Sequence, residues 1–299
     1  MDTVQPLVNA GRTRKELRRM VGTRLGDLKV LRASADSASP TVFTDSINLN
    51  HSSDYYAGRI AYFCGGQAAL IGVQANVASS SAATRTLTFS ETLPVAPLAG
   101  DEVHLINWSG VGFTPDEYHN TMNDVIVSIT DSHYFVPVAI DVSLSYDADT
   151  NTIQLPTSLR IIESVDYSLP TPYNDGQWQS DWQHLTKARF GGTDGWYVDR
   201  PSGRIVLRPW SRATGYPVPQ IRITGYGIPP LMETDTDTCS VPAEWFIEEC
   251  AARMLEKNIQ KNPGIANQDR IYNMLRQHAD AIRPINSVRM GPFAERVFY

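Results

Sequence analysis

Hydrophobic positions near the start of the chain recur with a helical period. Leu17 and Val21 fall on one helical face, and Thr13 and Glu16 have the spacing of a capping box. In that motif the two side chains each accept a hydrogen bond from the other residue's backbone N–H. The pattern predicts a helix over 14–25.

The pattern then changes to the alternation that is typical of β strands. Residues 29–108 contain short segments rich in β-branched and aromatic residues, with a turn at Gly65-Gly66. They predict five or six strands in a small barrel or sandwich. Alternation returns over about 134–230, with turns such as "DRPSG", and predicts a larger β sandwich there.

A second helix is predicted from the stretch "FTPDE". Thr114 is a natural N-cap, Pro115 suits the first helical position, and Glu117 closes a second capping box. Phe113 and Tyr118 have the spacing of a hydrophobic staple across this helix start.

The last part of the chain has helical spacing again. Pro242 marks a helix start, and "KNPG" at 261–264 ends that helix because a proline disfavours helix at the preceding residue. A final helix is predicted over roughly 266–282, with Pro284 after it. The predicted fold class is α+β, mainly β. Its predicted parts are an N-terminal basic helix (1–28), a small β module (29–110), a connecting helix (111–133), a β-sandwich domain (134–232), C-terminal helices (240–283) and an extended tail (284–299).

Charge is distributed in blocks along the chain, although the net charge is only −6. Residues 1–32 carry eight Lys/Arg and three Asp/Glu, whereas residues 33–187 carry four Lys/Arg and seventeen Asp/Glu. Such blocks favour electrostatic matching to a partner or to copies of the same chain.

One face of the first helix is basic, and it has two interpretations: a nucleic-acid patch, or a solvated face that docks on an acidic neighbour. No aromatic residue is interleaved with the cations, so docking is the better interpretation. The basic docking face consists of Arg14, Lys15, Arg18 and Arg19.

The stretch 100–126 gathers the acids and histidines that most resemble a chemical site: Asp101, Glu102, His104, Asp116, Glu117 and His119. A metal site or an acid/base pair is one interpretation. However, Asn123 stands where a second histidine ligand would be expected, and Glu117 is already used in the capping box. The spacing therefore favours a structural joint, with neither catalytic nor metal-binding residues.

Other signatures of chemistry are missing from the sequence. There is no phosphate-binding loop, no nucleophile elbow and no zinc-protease helix motif. Cys64, Cys239 and Cys250 are dispersed, which favours reduced, packed thiols. No apolar run is long enough to span a bilayer and no signal peptide is recognised, so we expect neither membrane association nor secretion. The protein is predicted to be non-enzymatic and to need no cofactor.

Two sets of side chains are candidates for recognition. Trp178, Trp182 and Trp196 are candidate surface aromatics, which suit carbohydrate stacking as well as a place in a core or protein interface. The tail has neither a helical nor an alternating period, so its aromatic and basic residues are candidates for docking on another subunit. These docking candidates are Arg283, Arg289, Phe293, Arg296, Phe298 and Tyr299.

The order of the parts resembles that of a known family. The stretch "LPVAPLAGDEVHLINW", a helix opened by "TPDEYHNTMNDVI", a β domain and the closing helix "VPAEWFIEECAARML" are similar to the neck proteins of tailed bacteriophages. These are the head-to-tail connectors, or adaptors, that lie under the portal. Short adaptors of this group are mostly helical, and the two β regions of this chain depart from them.

The resemblance implies a virion structural protein that forms a ring, commonly a dodecamer, between the portal and the tail. Its expected partners are the portal protein, the tail or other neck proteins, copies of itself, and phage DNA, which passes through the lumen during DNA ejection without sequence-specific binding. The expected location is the virion neck, and the host cytoplasm during assembly. The alternative is a tail, baseplate or host-recognition virion protein with a carbohydrate-binding β surface.

Overall fold

The chain divides into two units whose boundary does not follow sequence order. Unit 1 comprises Met1–Ile129 and Pro230–Pro284, and unit 2 comprises Thr130–Pro229 and Ile285–Tyr299. Most of unit 2 is thus inserted into the sequence of unit 1. The computed structural model describes residues 11–106, 112–131, 134–141, 146–147, 150–155, 157–168, 171–172, 178–179, 182–185, 187, 195–199, 201–208, 220–262, 267–284 and 295–296.

Within these residues the chain forms helices and short strands. The helices are α1 (Arg14–Leu25), α2 (Pro115–Asp131), α3 (Ala243–Lys261) and α4 (Gln268–Ala281). The strands of unit 1 are β1 (Arg12–Thr13), β2 (Leu28–Arg32), β3 (Val42–Thr44), β4 (Ile60–Gly65), β5 (Gln74–Ser81), β6 (Thr86–Phe89), β7 (Glu102–Ile106) and β18 (Thr238–Cys239). The strands of unit 2 are β8 (Val136–Asp141), β9 (Tyr146–Asp147), β10 (Thr152–Gln154), β11 (Leu159–Ser168), β12 (Thr171–Pro172), β13 (Trp178–Gln179), β14 (Trp182–Leu185), β15 (Gly195–Asp199), β16 (Arg204–Arg208), β17 (Gln220–Gly227) and β19 (Glu295–Arg296).

Helix α1 has the bounds that the sequence pattern predicts. Thr13 and Glu16 form both hydrogen bonds of the capping box, and Gly26 ends the helix in the left-handed conformation. Leu17 and Val21 on its inner face are completely buried. Burying one such side chain contributes about 1.5–3 kcal/mol to folding, so packing holds a helix that is short for independent stability.

The strands predicted over 29–108 form one antiparallel sheet in the order β2-β7-β4-β5-β6-β3. Its core includes Leu31, Phe43, Phe63 and Leu87, with Phe43 and Phe63 in edge-to-face contact. The prediction of five or six strands is confirmed. The barrel alternative is not formed, because β2 and β3 remain separate edges within the continuously described stretch 11–106.

Among the described residues of unit 2, two larger sheets share one core, and β12 and β13 form a separate pair. A four-stranded sheet has the order β15-β16-β10-β9, and a five-stranded sheet has β14-β11-β17-β8 with β19 paired to β11. The core takes Ile205 and Trp196 from the first sheet and Val165 and Ile223 from the second. Trp196 also donates from Nε1 to the carbonyl oxygen of Leu185, 3.1 Å away, which links the two sheets. The α+β, mainly β prediction is confirmed.

Strand β11 is irregular where it pairs with β17. Register shifts leave Arg160 and Glu163 as extra residues, so that Ile161 and Ile162 lie between two bulges. A Cβ at Gly225 would overlap the carbonyl oxygen of Ile161. Only glycine allows the two backbones to approach this closely.

Replacing Gly225 with alanine is therefore expected to destabilise unit 2 by about 1–3 kcal/mol, the usual cost of overpacking. Faster hydrogen exchange of the β11 and β17 amides under native conditions would measure this loss. Ala139→Val is the matched control, because Ala139 is an exposed position in the same sheet, directly opposite Thr224. Equal exchange rates in the two variants would contradict the steric argument.

The structure also bears on membrane association. None of the described helices is long and apolar enough to cross a bilayer.

Candidate functional site

The stretch 112–131 begins with the helix start that the sequence predicts. The backbone N–H of Thr114 donates to Glu117 Oε2 at 2.8 Å, and the Glu117 N–H donates to Thr114 Oγ1 at 3.2 Å. The rings of Phe113 and Tyr118 meet edge to face, 6.0 Å apart. The capping box and the staple are both confirmed, and they fix the first turn of α2 beside the sheet of unit 1.

The start of α2 places His119 against a buried cation, Arg18 of α1. Arg18 is completely buried, and its guanidinium lies 4.2 Å from the ring centroid of Tyr62. Nη1 and Nη2 each donate to one carboxylate oxygen of Asp235 at 2.7 Å, and Nε donates to His104 Nδ1 at 3.1 Å. We call this set the Arg18 cluster: Arg14, Arg18, Tyr62, His104, His119 and Asp235.

The donors in the Arg18 cluster fix the protonation of both histidines. A guanidinium can only donate, so His104 Nδ1 and His119 Nε2, which lies 2.6 Å from Arg18 Nη1, are unprotonated acceptors. Both rings are therefore neutral. Burial, followed by the charges of Arg18 and Arg14, lowers the pKa of His119 to about 3. Burial also lowers the pKa of His104, against the effect of Glu102.

Asp235 belongs to a segment, 232–239, that the sequence patterns did not single out. Burial raises the pKa of Asp235, but the hydrogen bonds and charge of Arg18 outweigh this and lower it to about 2. The backbone N–H groups of Arg14 and Lys15 donate to the carbonyl oxygens of Asp237 and Asp235. These donors have no partner inside a helix, so the segment closes the N-terminus of α1.

The same segment is tied to α2. Asn123 donates from its amide to the carbonyl oxygen of Met232 at 3.2 Å and accepts from the Met232 N–H at 3.0 Å. The segment thus connects α1 and α2, and no local motif marks it, because its partners lie far away in sequence.

Cys64, Glu102 and His104 form the closest approach to a metal site among the described residues, with potential ligand atoms within 4.8 Å of one another. The protons and positive charge around these three residues disfavour a bound metal cation. His104 carries its proton on Nε2, and Lys15 Nζ lies 3.0 Å from Glu102 Oε1. Burial raises the pKa of Cys64 to about 12, so it is a thiol. The hydrogen bond with His104 and the contact with Lys15 outweigh the effect of burial and lower the pKa of Glu102 to about 2. Glu102 is therefore ionised and pairs with Lys15.

A second buried charge, Glu249 of α3, connects the C-terminal helices. Its carboxylate accepts from Arg253 Nε at 2.7 Å and from Arg276 Nη1 of α4 at 2.6 Å. Arg253 also donates to Ser128 Oγ of α2 at 2.7 Å. Glu249 therefore links α3 to α4, and Arg253 links α3 to α2.

The basic face of α1 is split by the structure. Arg14 and Arg18 are buried in the Arg18 cluster, where their acidic neighbour is Asp235 of the same chain. They are not part of a solvated face, because their charge is already matched inside unit 1. Lys15 is half-buried on Glu102, and Arg19 is exposed with no side-chain partner among the residues that the structure describes.

The aromatic candidates are placed only in part. Trp196 is 1% exposed and lies in the core of unit 2, which corrects its prediction as a surface residue. Trp178 lies in β13 and Trp182 in β14, where the backbone is described. The interpretation of these two as a sugar-binding platform stays a prediction.

The tail candidates are also placed in part. Arg283 is an exposed residue two positions after the end of α4. Arg296 lies in β19 and pairs with Ile161 of β11. The remaining candidates, Arg289, Phe293, Phe298 and Tyr299, lie outside the described residues.

Comparison with protein families defines the class of the protein. A family model described as "SU10 adaptor protein" matches residues 95–296, which include α2, α3, α4 and all described strands of unit 2. This is a family of structural head-to-tail adaptors of bacteriophages, not an enzyme family. The chain belongs to the SU10 adaptor protein family. It is accordingly a phage structural adaptor and a virion component that interacts with other head or tail proteins. No curated protein matches the chain.

Proposed function

We propose that the protein is the connector that forms a ring between the portal and the tail, around the channel through which the DNA leaves the head. The observation that carries this proposal is the family match over residues 95–296. The proposed ring is a dodecamer, and it assembles through surface complementarity between copies, with heterologous contacts that close around an axis. It is built in the host cytoplasm and retained in the virion neck.

The charges of the chain support a channel through which DNA passes without being held. The net charge is −6, and two of the four cations on the basic face of α1 are buried against Asp235. DNA affinity comes largely from Lys/Arg contacts to phosphates. An acidic protein in which part of the basic face is paired internally repels the duplex and allows it to pass.

The proposed docking element is the tail, residues 284–299. Its aromatic and basic side chains would anchor the ring on the portal or on a neighbouring copy. Removing 284–299 is therefore expected to abolish assembly with the portal and to leave the helices of unit 1 folded, since α4 ends at Ala281. Negative-stain images of chain mixed with portal, with circular dichroism of the free chain, measure the two effects.

A shorter deletion separates anchoring from the pairing of β19. A chain that ends at Arg296 keeps β19 but lacks Phe298 and Tyr299, and we expect it to assemble poorly with the portal. Arg270→Ala in the full chain removes one exposed cation of α4, outside the docking candidates, and serves as a control with normal assembly. If the chain without residues 284–299 formed rings at wild-type levels, the docking proposal would be contradicted.

A further inference from the structure

Strand β11 of unit 2 has one edge that is shared by two different strands. Along the opposite edge it pairs with β17 from Leu159 to Ser168. On the shared edge, β14 pairs with Val165 to Ser168, whereas β19 pairs only with Ile161 and Ile162. The end of the chain therefore fills a short stretch of sheet edge that β14 does not reach.

The bulges of β11 define this stretch as a separate slot. Arg160 and Glu163 are the extra residues on either side, and Ile161 and Ile162 between them are 3% and 0% exposed. An open sheet edge presents unpaired backbone N–H and C=O groups and promotes pairing with other chains. In the single chain, pairing with β19 covers this stretch of backbone edge. We call Ile161 and Ile162, with the backbone edge that they offer, the β11 slot.

We propose that the β11 slot is an exchange site: in the assembled ring it receives Glu295–Arg296 of a neighbouring copy in place of the chain's own. This rests on the proposed ring. A strand swapped between identical chains makes the same contacts that it makes within one chain, so exchange requires no new complementarity. Strand addition to a sheet edge is also a common mode of segment recognition.

The pairing is short enough to open. Two residue pairs join β19 to β11, and one backbone hydrogen bond contributes only about 0.5–1.5 kcal/mol net. Residues 285–294 separate α4 and its following turn from β19, and ten residues reach at most ~35 Å when extended. Glu295 and Arg296 carry opposite charges, so the exchanged strand brings no net charge to its acceptor.

A disulfide that locks the chain's own strand in the slot tests this exchange. Ile161 and Arg296 are directly opposite each other, and such pairs have Cβ atoms about 4.5–5.5 Å apart, close to disulfide geometry. The full chain with Ile161→Cys and Arg296→Cys is expected to form an intramolecular disulfide on oxidation. The oxidised chain should then be excluded from the rings that form with the portal, and reduction should allow it to enter them again. Native Cys64, Cys239 and Cys250 are buried and do not compete.

The matched control moves the second cysteine by one residue. Ile161→Cys with Glu295→Cys places the two side chains on opposite faces of the sheet, so this chain is expected to resist cross-linking and to assemble normally. In rings made from two differently tagged chains, one with Ile161→Cys and the other with Arg296→Cys, oxidation is expected to give a disulfide-linked dimer. A locked chain that still enters rings, or rings without this dimer, would overturn the exchange.

A peptide assay judges the slot independently of ring formation. A synthetic peptide of residues 285–299 with cysteine at position 296 is incubated with the full Ile161→Cys chain under oxidising conditions. The peptide is expected to displace the chain's own strand and become attached, whereas a peptide with cysteine at position 295 is not. If the peptide does not attach, the exchange site is refuted even if rings form. If the peptide attaches but the chain forms no rings, the β11 slot is supported and the proposed connector function is refuted.

Discussion

Replacing Arg18 with methionine is expected to lower the free energy of unfolding of unit 1 by about 3–5 kcal/mol, the usual result of removing one partner of a buried ion pair. Methionine retains most of the aliphatic packing of arginine, so the loss comes from charge and hydrogen bonds. Among the described residues Asp235 keeps Arg14 as its cationic partner, and His104 Nδ1, which is completely buried, and His119 Nε2, which is partly buried, both lose their donor.

Arg19→Met is the matched control for this variant. It makes the same chemical change one position further along α1, at an exposed residue, and is expected to change stability by no more than about 0.5 kcal/mol. Urea unfolding, with hydrogen exchange of the α1 and α2 amides as a probe specific to unit 1, distinguishes the two. Arg18→Lys, which keeps the charge but loses the paired donation to Asp235, should lie between them. Equal stabilities of the Arg18→Met and Arg19→Met chains would refute the role of the Arg18 cluster.

Stability of unit 1 is expected to fall as the pH falls below about 6.5, because the folded protein keeps its two cluster histidines neutral. In the unfolded chain His119 titrates near 6.5, whereas burial and the neighbouring arginines lower its folded pKa to about 3. Between these values the unfolded state binds a proton that the folded state does not. Stability is therefore complete above 6.5 and is lost at about 1.4 kcal/mol per pH unit for one histidine.

His104 adds to the loss in the same direction, because burial lowers its folded pKa as well. Asp235 and Glu102 have folded pKa values of about 2, so their contribution is lost only at pH values below their unfolded pKa values of about 4. Between about pH 5 and 6.5 the histidines therefore dominate the cluster's response. Urea midpoints measured across this interval give the slope.

Two substitutions remove a titrating imidazole and keep a hydrogen-bond acceptor for Arg18 in its place. The side-chain oxygen of His119→Gln occupies roughly the place of Nε2, and that of His104→Asn the place of Nδ1. The His119→Gln variant is expected to reduce the slope of unfolding free energy with pH by about one proton, and the double variant to flatten it further. If the double variant retained the full wild-type slope, the histidines of the Arg18 cluster would not be its source.

Local signals in the sequence were sufficient to predict the helices and most strand regions. The Thr13–Glu16 and Thr114–Glu117 capping boxes act within one turn, and their spacing alone gives the starts of α1 and α2. The β alternation likewise predicts strands, since side chains on a sheet change face at each residue.

The Arg18 cluster could not be predicted in the same way. Its hydrogen-bonded partners lie 86, 101 and 217 positions from Arg18, so no window of sequence contains the interaction. Arg14 and Arg18 have the spacing of a solvated helix face, and only the fold shows that the 232–239 segment covers them. The closed edge of β11 was missed for the same reason, because its two strands come from distant parts of the chain.

The distance in sequence between Arg18 and Asp235 also sets an order of events during protein synthesis. At about 5–20 residues per second, α1 leaves the ribosome roughly 10–40 s before its carboxylate partner is made. The inserted residues 130–229 are synthesised before Asp235, whereas unit 1 cannot be completed until the segment that contains Asp235 has been made. A nascent or prematurely terminated chain therefore lacks a finished unit 1, so that only full-length translation products acquire the surfaces of the mature adaptor.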